Sequence, residues 1–303
     1  MGCAPQPTAR GDWIAGPAGG YTDAVPELPE VETVARLLRP DVVGRTITGA
    51  RVGWRPTVGG STGFAKSVVG RRIAVLWRRA KYLVFELEHK AVPDGCLVAH
   101  LRMTGRMHVE PADLDAGPWC RVALALDDGR ELRFVDPRKF GRVLRARVPA
   151  DVFGDLGPEP LEDGFDPDGF FAALAERRRH LKPLLLDQTF VAGLGNIYVD
   201  ESLFQARLHP LTPSDRVPRA KAVTLHGAIR STLRAAIERE GSSFDTFYRT
   251  PGGQPGSYQD QFLVYGRQGK PCPRCGGAIR RMVVGQRGTH LCPRCQPKPR
   301  SRA

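Results

Sequence analysis

Two Cys-x-x-Cys pairs stand near one end of the chain, Cys272-Pro-Arg-Cys275 and Cys292-Pro-Arg-Cys295. Four thiolates so spaced offer one tetrahedral site for Zn2+, and the residues between the pairs suffice for a β-hairpin. With every coordination position taken by sulfur, such a zinc is structural: it holds a hairpin with too little core to fold alone. Four unmetallated thiols are the competing reading. Arg280, Arg281 and Arg287 fall between the pairs, and Gly288-Thr289 follows Arg287. Backbone and guanidinium there suit a phosphate, or else the segment is a solvated basic turn. A second block, Gly193-Leu-Gly-Asn196, opens a helical stretch carrying Tyr198, Val199 and Leu203. The first N–H groups of a helix lack partners and attract anions, so this block predicts a second phosphate clamp, with a simple tight turn as the alternative.

The whole chain has the charge to match. Its 303 residues carry 45 Lys+Arg against 32 Asp+Glu, a formal charge of +13, with 41% hydrophobic and 25% charged residues. That composition excludes disordered and collagen-like chains, and the length supports a core without disulfide staples. No apolar run approaches the roughly 18 residues needed to cross a bilayer, so no membrane partner is expected. An Arg-rich excess predicts a polyanionic partner, phosphate before lipid headgroup. Seven cysteines, of which Cys3, Cys96 and Cys120 are scattered, argue against a secreted disulfide framework.

The elements that must position these groups follow from periodicity. Residues 1–25 are rich in Gly, Ala and Pro and read as a disordered leader without the pattern of a secretory signal. A short helix is predicted over 29–38, where Pro29 and Glu30 suit a helix start and Val31, Val34 and Leu38 share a face. From Thr46 to Val148 short β-rich runs follow, at 72–77, 82–87, 97–103 and 122–126. Asp127-Asp128-Gly129 makes a hairpin, and the alternation of Val122, Leu124 and Leu126 resumes at Leu132 and Phe134, as in a sheet with one packed face. A β-sandwich or barrel is expected. Helices are predicted at 170–178, 183–188, 198–206 and 218–240, the middle ones flanking the Gly193 block as in a helix-two-turns-helix unit. The fold class is α+β, divided into an N-terminal β-sandwich domain with flanking helices at 26–150, a linker at 151–168, a helical domain at 169–262, the zinc hairpin at 263–296 and a basic tail at 297–303.

In order along the chain, Pro26-Glu-Leu-Pro-Glu-Val-Glu-Thr33, Arg79-Ala-Lys-Tyr-Leu83, Asp136-Pro-Arg-Lys-Phe140, Gly193-Leu-Gly-Asn-Ile-Tyr198 and the two cysteine pairs resemble the formamidopyrimidine-DNA glycosylases over 26–296. The resemblance implies a base-excision repair enzyme, a DNA glycosylase with lyase activity for oxidised purines such as 8-oxoguanine and formamidopyrimidines. It implies that Pro26, as an N-terminal secondary amine, attacks C1′ of the damaged nucleoside and forms an iminium. A free α-amino group has a pKa of about 7.7 to 8.0, which leaves a nucleophilic fraction at neutral pH. Glu27 would protonate the sugar ring oxygen and manage protons through β,δ-elimination, Glu30 would support it, and Lys81 would bring charge to the phosphate near the lesion. Taken on spacing alone, Glu27 and Glu30 read as helix N-terminal charge and Lys81 as an exposed turn. Extruding a base leaves a gap. Met103, Arg138 and Phe140 match the wedge that fills it, though the commoner fate of Met and Phe is the core. His100, Asn196 and Arg287 match DNA contacts. Residues 250–261 match a base-covering lid, with Ser257 and Tyr258 as its contacts.

An internal proline nitrogen is a tertiary amide with no lone pair to donate, so this chemistry requires a start after Val25. A valine codon that initiates as methionine is the expected route, with the leader untranslated. The partner is then double-stranded DNA containing an oxidised base, met by a monomer in the bacterial cytoplasm. Two alternatives stand beside this reading: an endonuclease VIII-like enzyme for oxidised pyrimidines, and a silent damaged-DNA binder whose amine the leader blocks.

Overall fold

The computed structural model describes residues 25–243 and 248–299; the expected leader, apart from Val25, and the last residues of the basic tail lie outside them. The first helix, α1 (Leu28–Val42), begins one residue before the expected Pro29, keeps Pro29 and Glu30 in its first turn, and runs on through Pro40. Proline in the last turn removes one hydrogen bond, and the burial of Val42 in the sandwich core outweighs it.

Strands β1 (Ile47–Val52), β6 (Cys120–Leu126), β7 (Arg130–Val135) and β5 (Arg106–Pro111) form one antiparallel sheet in that order, and β2 (Arg72–Arg79), β3 (Tyr82–His89), β4 (Val92–His100) and β8 (Arg142–Ala146) form the other. The short α2 (Phe64–Val68) joins β1 to β2. Ile73, Leu76, Phe85 and Leu97 from one sheet and Leu124, Leu132 and Phe134 from the other share a core with Val31, Val34 and Leu38 of α1. This is the expected sandwich, with a helix along it. The alternation at 122–126 is imperfect, since Ala123 is buried as well as Val122 and Leu124. The buried Arg133, its register partner in β7, covers that outer face. Strand β4 ends earlier than the expected 103: Arg102 has φ of 56° and donates its N–H to His100 Nδ1 at 3.0 Å. The chain turns there, and Met103 leaves the sheet.

After α3 (Ala150–Phe153), helices α4 (Pro167–Ala175), α5 (Leu181–Leu185), α6 (Asn196–Gln205) and α7 (Arg219–Glu238) enclose a second core with Leu174, Leu185, Tyr198, Leu203, Ile229 and Leu233. Leu28 belongs to this core, whereas Val31 three residues on belongs to the first. Leu28 N–H also donates to Gly193 O at 3.1 Å. The start of α1 is therefore fixed in the helical unit and its body in the sandwich, which seats Pro26 and Glu27 at the junction. Strands β9 (Arg280–Val284) and β10 (Arg287–Leu291) form a two-stranded hairpin over a small cluster made of Phe204, Val264, Cys272, Ile279 and Cys292.

Candidate active site at the domain junction

Between the two cores lies a cleft of about 930 Å3, lined among others by Val25, Glu27, Lys81, His100, Met103, Phe140, Asn196 and Arg287. Residues scattered over most of the sequence thus meet in one place.

Glu27 is buried, and its carboxylate caps α6: Oε1 accepts from Ile197 N at 2.9 Å and Oε2 from Tyr198 N at 3.4 Å. The Gly193 block was expected to offer these N–H groups to a DNA phosphate; here they hold a side chain of the same protein. The glycines make room for it. A Cβ on Gly195 would stand 2.2 Å from Glu27 Cδ, and one on Gly193, at φ of +84°, 2.6 Å from Leu28. Burial pushes the Glu27 carboxyl up to about 7, with the Lys81 ammonium pulling down, Glu30 pushing up and the two N–H donors pulling down. The group can therefore hold and give a proton near neutral pH.

Glu30 is equally buried. It accepts from Glu27 N at 2.9 Å, Ser242 N at 2.7 Å and the Tyr198 hydroxyl. It thereby fixes the backbone directly after Pro26. Lys81 stands in the β2–β3 turn, half-buried rather than exposed as its spacing alone suggested. Burial lowers its pKa against the opposing pull of Glu27 and Glu30. His100 is pushed down to about 3 by burial, then by Arg102 and Lys81, so it is neutral. Its Nδ1 accepts from Arg102 N, which leaves the proton on Nε2.

Several positioning residues were not singled out in the sequence. Glu159, buried, binds Arg78 at 2.8 Å and Arg79 at 2.9 Å and accepts from Ala80 N; Ala80, at φ of 50°, makes the turn that presents Lys81. Replacing Glu159 by alanine leaves Arg78 with Glu32 as its remaining carboxylate, at 2.8 Å, and takes the same partner from Arg79 and the Ala80 N–H, so a loss below the roughly 3 to 5 kcal/mol of a wholly unpaired buried charge is expected by chemical denaturation. Asp136 is fully buried and accepts from the Thr104 hydroxyl, from Arg138 N at 3.2 Å and from Gly141 N at 2.7 Å. One carboxylate thus ties the Met103 turn to the Phe140 loop. An acid at the head of a quoted motif was the available signal.

Met103 is half-buried and Phe140 is 46% exposed, so Phe140 is no core residue. The Arg138 guanidinium lies 4.8 Å from the Phe140 ring centroid. Replacing Phe140 by alanine is expected to change stability by less than about 1 kcal/mol, since little burial is lost, while lowering the activity that the resemblance implies by about tenfold, as loss of one stacking contact worth about 1 to 3 kcal/mol would. A thermal melt beside a single-turnover assay checks both halves.

Arg287 reaches the cleft from the start of β10. Gly288, expected to approach a phosphate, instead gives its carbonyl to Lys182 Nζ at 3.0 Å and to Asn196 Nδ2 at 3.0 Å. Thr289 is fully buried. Lys182 pairs with Asp200 at 2.7 Å, both fully buried, and Asp200 accepts from His290 N at 2.8 Å. This network joins α5 and α6 to the hairpin and sets where Arg287 stands. Ser257 and Tyr258 are not among the described residues lining the cleft. Tyr258 packs in the helical core against Tyr198 and Phe262, and Ser257 donates from its N–H to Arg239 O at 2.9 Å. A tyrosine and serine near the end of a glycine-rich stretch gave no indication of this, because burial there depends on α7.

The four cysteine sulfurs all lie within 4.8 Å of one another. Cys272 and Cys295 Sγ are 3.9 Å apart and Cys275 and Cys292 Sγ 3.5 Å. A tetrahedron with Zn–S of about 2.3 Å has edges of roughly 3.8 Å, so the donor set fits one zinc.

Three family models match the chain: the formamidopyrimidine-DNA glycosylase N-terminal domain at 25–143, the formamidopyrimidine-DNA glycosylase H2TH domain at 156–248, and a zinc finger found in FPG and IleRS at 269–298. The formamidopyrimidine-DNA glycosylase of Herpetosiphon aurantiacus is 46% identical over 278 residues, spanning 90% of this chain and 100% of its own. The chain belongs to the formamidopyrimidine-DNA glycosylase family. The family's enzyme from Thermus thermophilus is 47% identical over 279 residues, 90% of this chain and 98% of its own. A crystal structure of the Thermus thermophilus protein superposes with a TM-score of 0.81 at 44% identity, covering 91% of this chain and 100% of that one. The Lactococcus lactis family member in complex with abasic-site DNA superposes at 0.83 with 36% identity, covering 90% and 100%. Within this family the sandwich, the helix-two-turns-helix unit and the zinc hairpin with one structural zinc take the order found here.

Proposed function

We propose that this base-excision repair DNA glycosylase excises oxidised purines through an amine at Pro26 and then cuts the strand by β,δ-elimination. The observation that carries the reading is the Glu27 carboxyl, buried beside Pro26 at the mouth of a basic cleft and pushed up to about 7. The Pro26 nitrogen donates its lone pair to C1′ as the bond to the base breaks, and the base leaves with the electron pair of that bond and takes up the proton that the nitrogen sheds. Glu27 gives its proton to the ring oxygen as the C1′–O4′ bond breaks, and the nitrogen lone pair, free again, closes the iminium. Glu27, then a carboxylate, accepts the proton whose loss drives elimination. Lys81 lies within electrostatic reach of Glu27 and offsets phosphate charge at the reacting sugar. Met103, Arg138 and Phe140 fill the space of the extruded nucleotide, and Arg138 donates to the base opposite. Arg and Asn side chains at 287 and 196 serve the flanking phosphates. The zinc, when bound, supplies no chemistry to the sugar; it holds the hairpin that carries Arg287.

The reading requires that Pro26 be the first residue of the working enzyme. A start at Val25 would meet this requirement, and the family match begins at that residue. The domain division at 26–150, 151–168, 169–262 and 263–296, a monomeric state and a cytoplasmic site of action belong to the same proposal. Among the described residues no helix is long and apolar enough to cross a membrane.

Borohydride trapping on an 8-oxoguanine:cytosine duplex tests the reading. Protein beginning at Pro26 is expected to form a covalent adduct, and protein beginning at Met1 is not. Absence of an adduct from the Pro26 form would sink the amine mechanism and favour a silent binder. Faster excision of thymine glycol than of 8-oxoguanine would favour the pyrimidine-directed reading.

A further inference from the structure

A second cleft, of about 890 Å3, carries Arg178, Arg179, His180 and Arg216 on its walls against one lining carboxylate, Asp215. The backbone beneath it is stitched: His180 pairs with Pro213 as a β-bridge, and Ser214 N donates to Arg179 O at 2.8 Å while Leu181 N donates to Thr212 O at 2.9 Å. The buried Ser214 hydroxyl also accepts from Arg179 N at 3.4 Å. The backbone that carries these side chains is therefore fixed before a ligand binds, and only side-chain freedom remains to be lost. The Arg179 guanidinium is engaged by Asp187 at 2.6 Å. Those of Arg178 and Arg216 are exposed and have no ion pair or hydrogen bond with any described residue.

We propose that this cleft is a second phosphate site, in which Arg178 and Arg216 engage the DNA backbone outside the lesion; the proposal rests on the lesion cleft being where the damaged nucleotide is held. The two clefts share a wall. Pro183 lines the arginine cleft, and its Cγ stands 3.5 Å from where a Cβ on Gly285 would be; Gly285 lines the lesion cleft beside Arg287. Helix α5 runs from one to the other, with His180 at its N-cap and Leu186 at its C-cap. Six residues at a rise of about 1.5 Å span about 9 Å, and B-DNA rises about 3.4 Å per base pair. With the duplex running along α5, phosphates reached by Arg178 and Arg216 lie about three base pairs beyond those at the lesion. The chemistry is that of guanidinium forks on phosphate oxygens, which fixes the duplex on the protein without reading its sequence. An acidic protein surface would match the charge but has no reason to adjoin the lesion cleft.

The test compares zinc-loaded protein starting at Pro26 with its Arg178→Gln, Arg216→Gln double variant. Binding to a duplex with a central abasic-site analogue and long arms is measured against salt, then repeated with each arm cut to three base pairs. On the long duplex the variant is expected to lose about 1.8 from the slope of log affinity against log salt, two contacts at about 0.9 each. The advantage of wild type over variant then shrinks about twelvefold between 50 and 200 mM salt. Cutting one of the two arms should abolish the difference, and single-turnover excision at saturating enzyme should be unchanged. An unaltered slope on the long duplex overturns the proposal, as does an equal drop on every duplex, which would report net charge alone. Failure of wild type to excise any lesion while the slopes differ as stated would overturn the enzymatic reading and leave the phosphate site standing.

Discussion

Glu27→Gln lowers single-turnover excision by about 10²- to 10⁴-fold, the usual contribution of a positioned proton donor, and leaves binding to an uncleavable abasic analogue close to wild type. Glutamine keeps the oxygen that accepts from Ile197 N and so keeps the cap on α6, but it has no proton to give. Two titrations shape the wild-type pH profile. A free Pro26 amine must be neutral to attack, so activity rises through about 7.7 to 8.0. Glu27 must be protonated, so activity falls as the carboxyl ionises through about 7. The product is a narrow bell with its maximum between them. The glutamine variant is expected to lose the alkaline limb and rise monotonically to a plateau; an alkaline limb that survives would show that another group gives the proton.

Stability moves the other way. The native pKa of Glu27 lies above its ordinary value of 4.5, so the native state binds more protons than the unfolded chain across that interval. This contribution is fully present below pH 4.5 and is lost as pH rises through about 7. Glu27→Gln removes that dependence. The variant is expected to melt above wild type at pH 8 and together with it at pH 4, a gain at the expense of catalysis of the kind expected where a carboxylate is buried for function.

Removing the zinc is the second large effect. The hairpin cluster holds five fully packed members, against the extensive sandwich and helical cores, and metal binding in such modules supplies the folding energy itself. Chelation, or Cys275→Ser, is therefore expected to unfold 269–298 while far-UV circular dichroism changes little elsewhere. Lesion-DNA affinity should fall by roughly 10- to 150-fold for Arg287 alone, at about 1.5 to 3 kcal/mol for a charge-assisted hydrogen bond. The loss should be at least that of Arg287→Ala in the zinc-loaded protein. Adding Arg287→Ala to chelated protein should change nothing more, because the guanidinium has already left the cleft. Wild-type affinity after chelation would mean that the Lys182–Asp200 network holds the hairpin without metal.

The cysteine spacing determined the zinc site, and the alternations around Asp128 and at 29–38 determined the sandwich and its helix, because these are local patterns whose period is the geometry of the element. The ordered motifs, read through resemblance, determined the family, and the chemistry and residue roles proposed above rest on them. Only the tertiary structure decided what the N-terminus of α6 binds: the sequence offered open N–H groups, and the fold brings in Glu27 from far upstream to fill them. The same holds for Glu159 under the Lys81 turn, Asp136 between two loops and Lys182 against β10, and for Tyr258, which the fold assigns to the helical core. Each depends on contacts between segments distant in sequence. A proton affinity such as that of Glu27 is set by burial and by charges from several of those segments at once, and no local pattern encodes it.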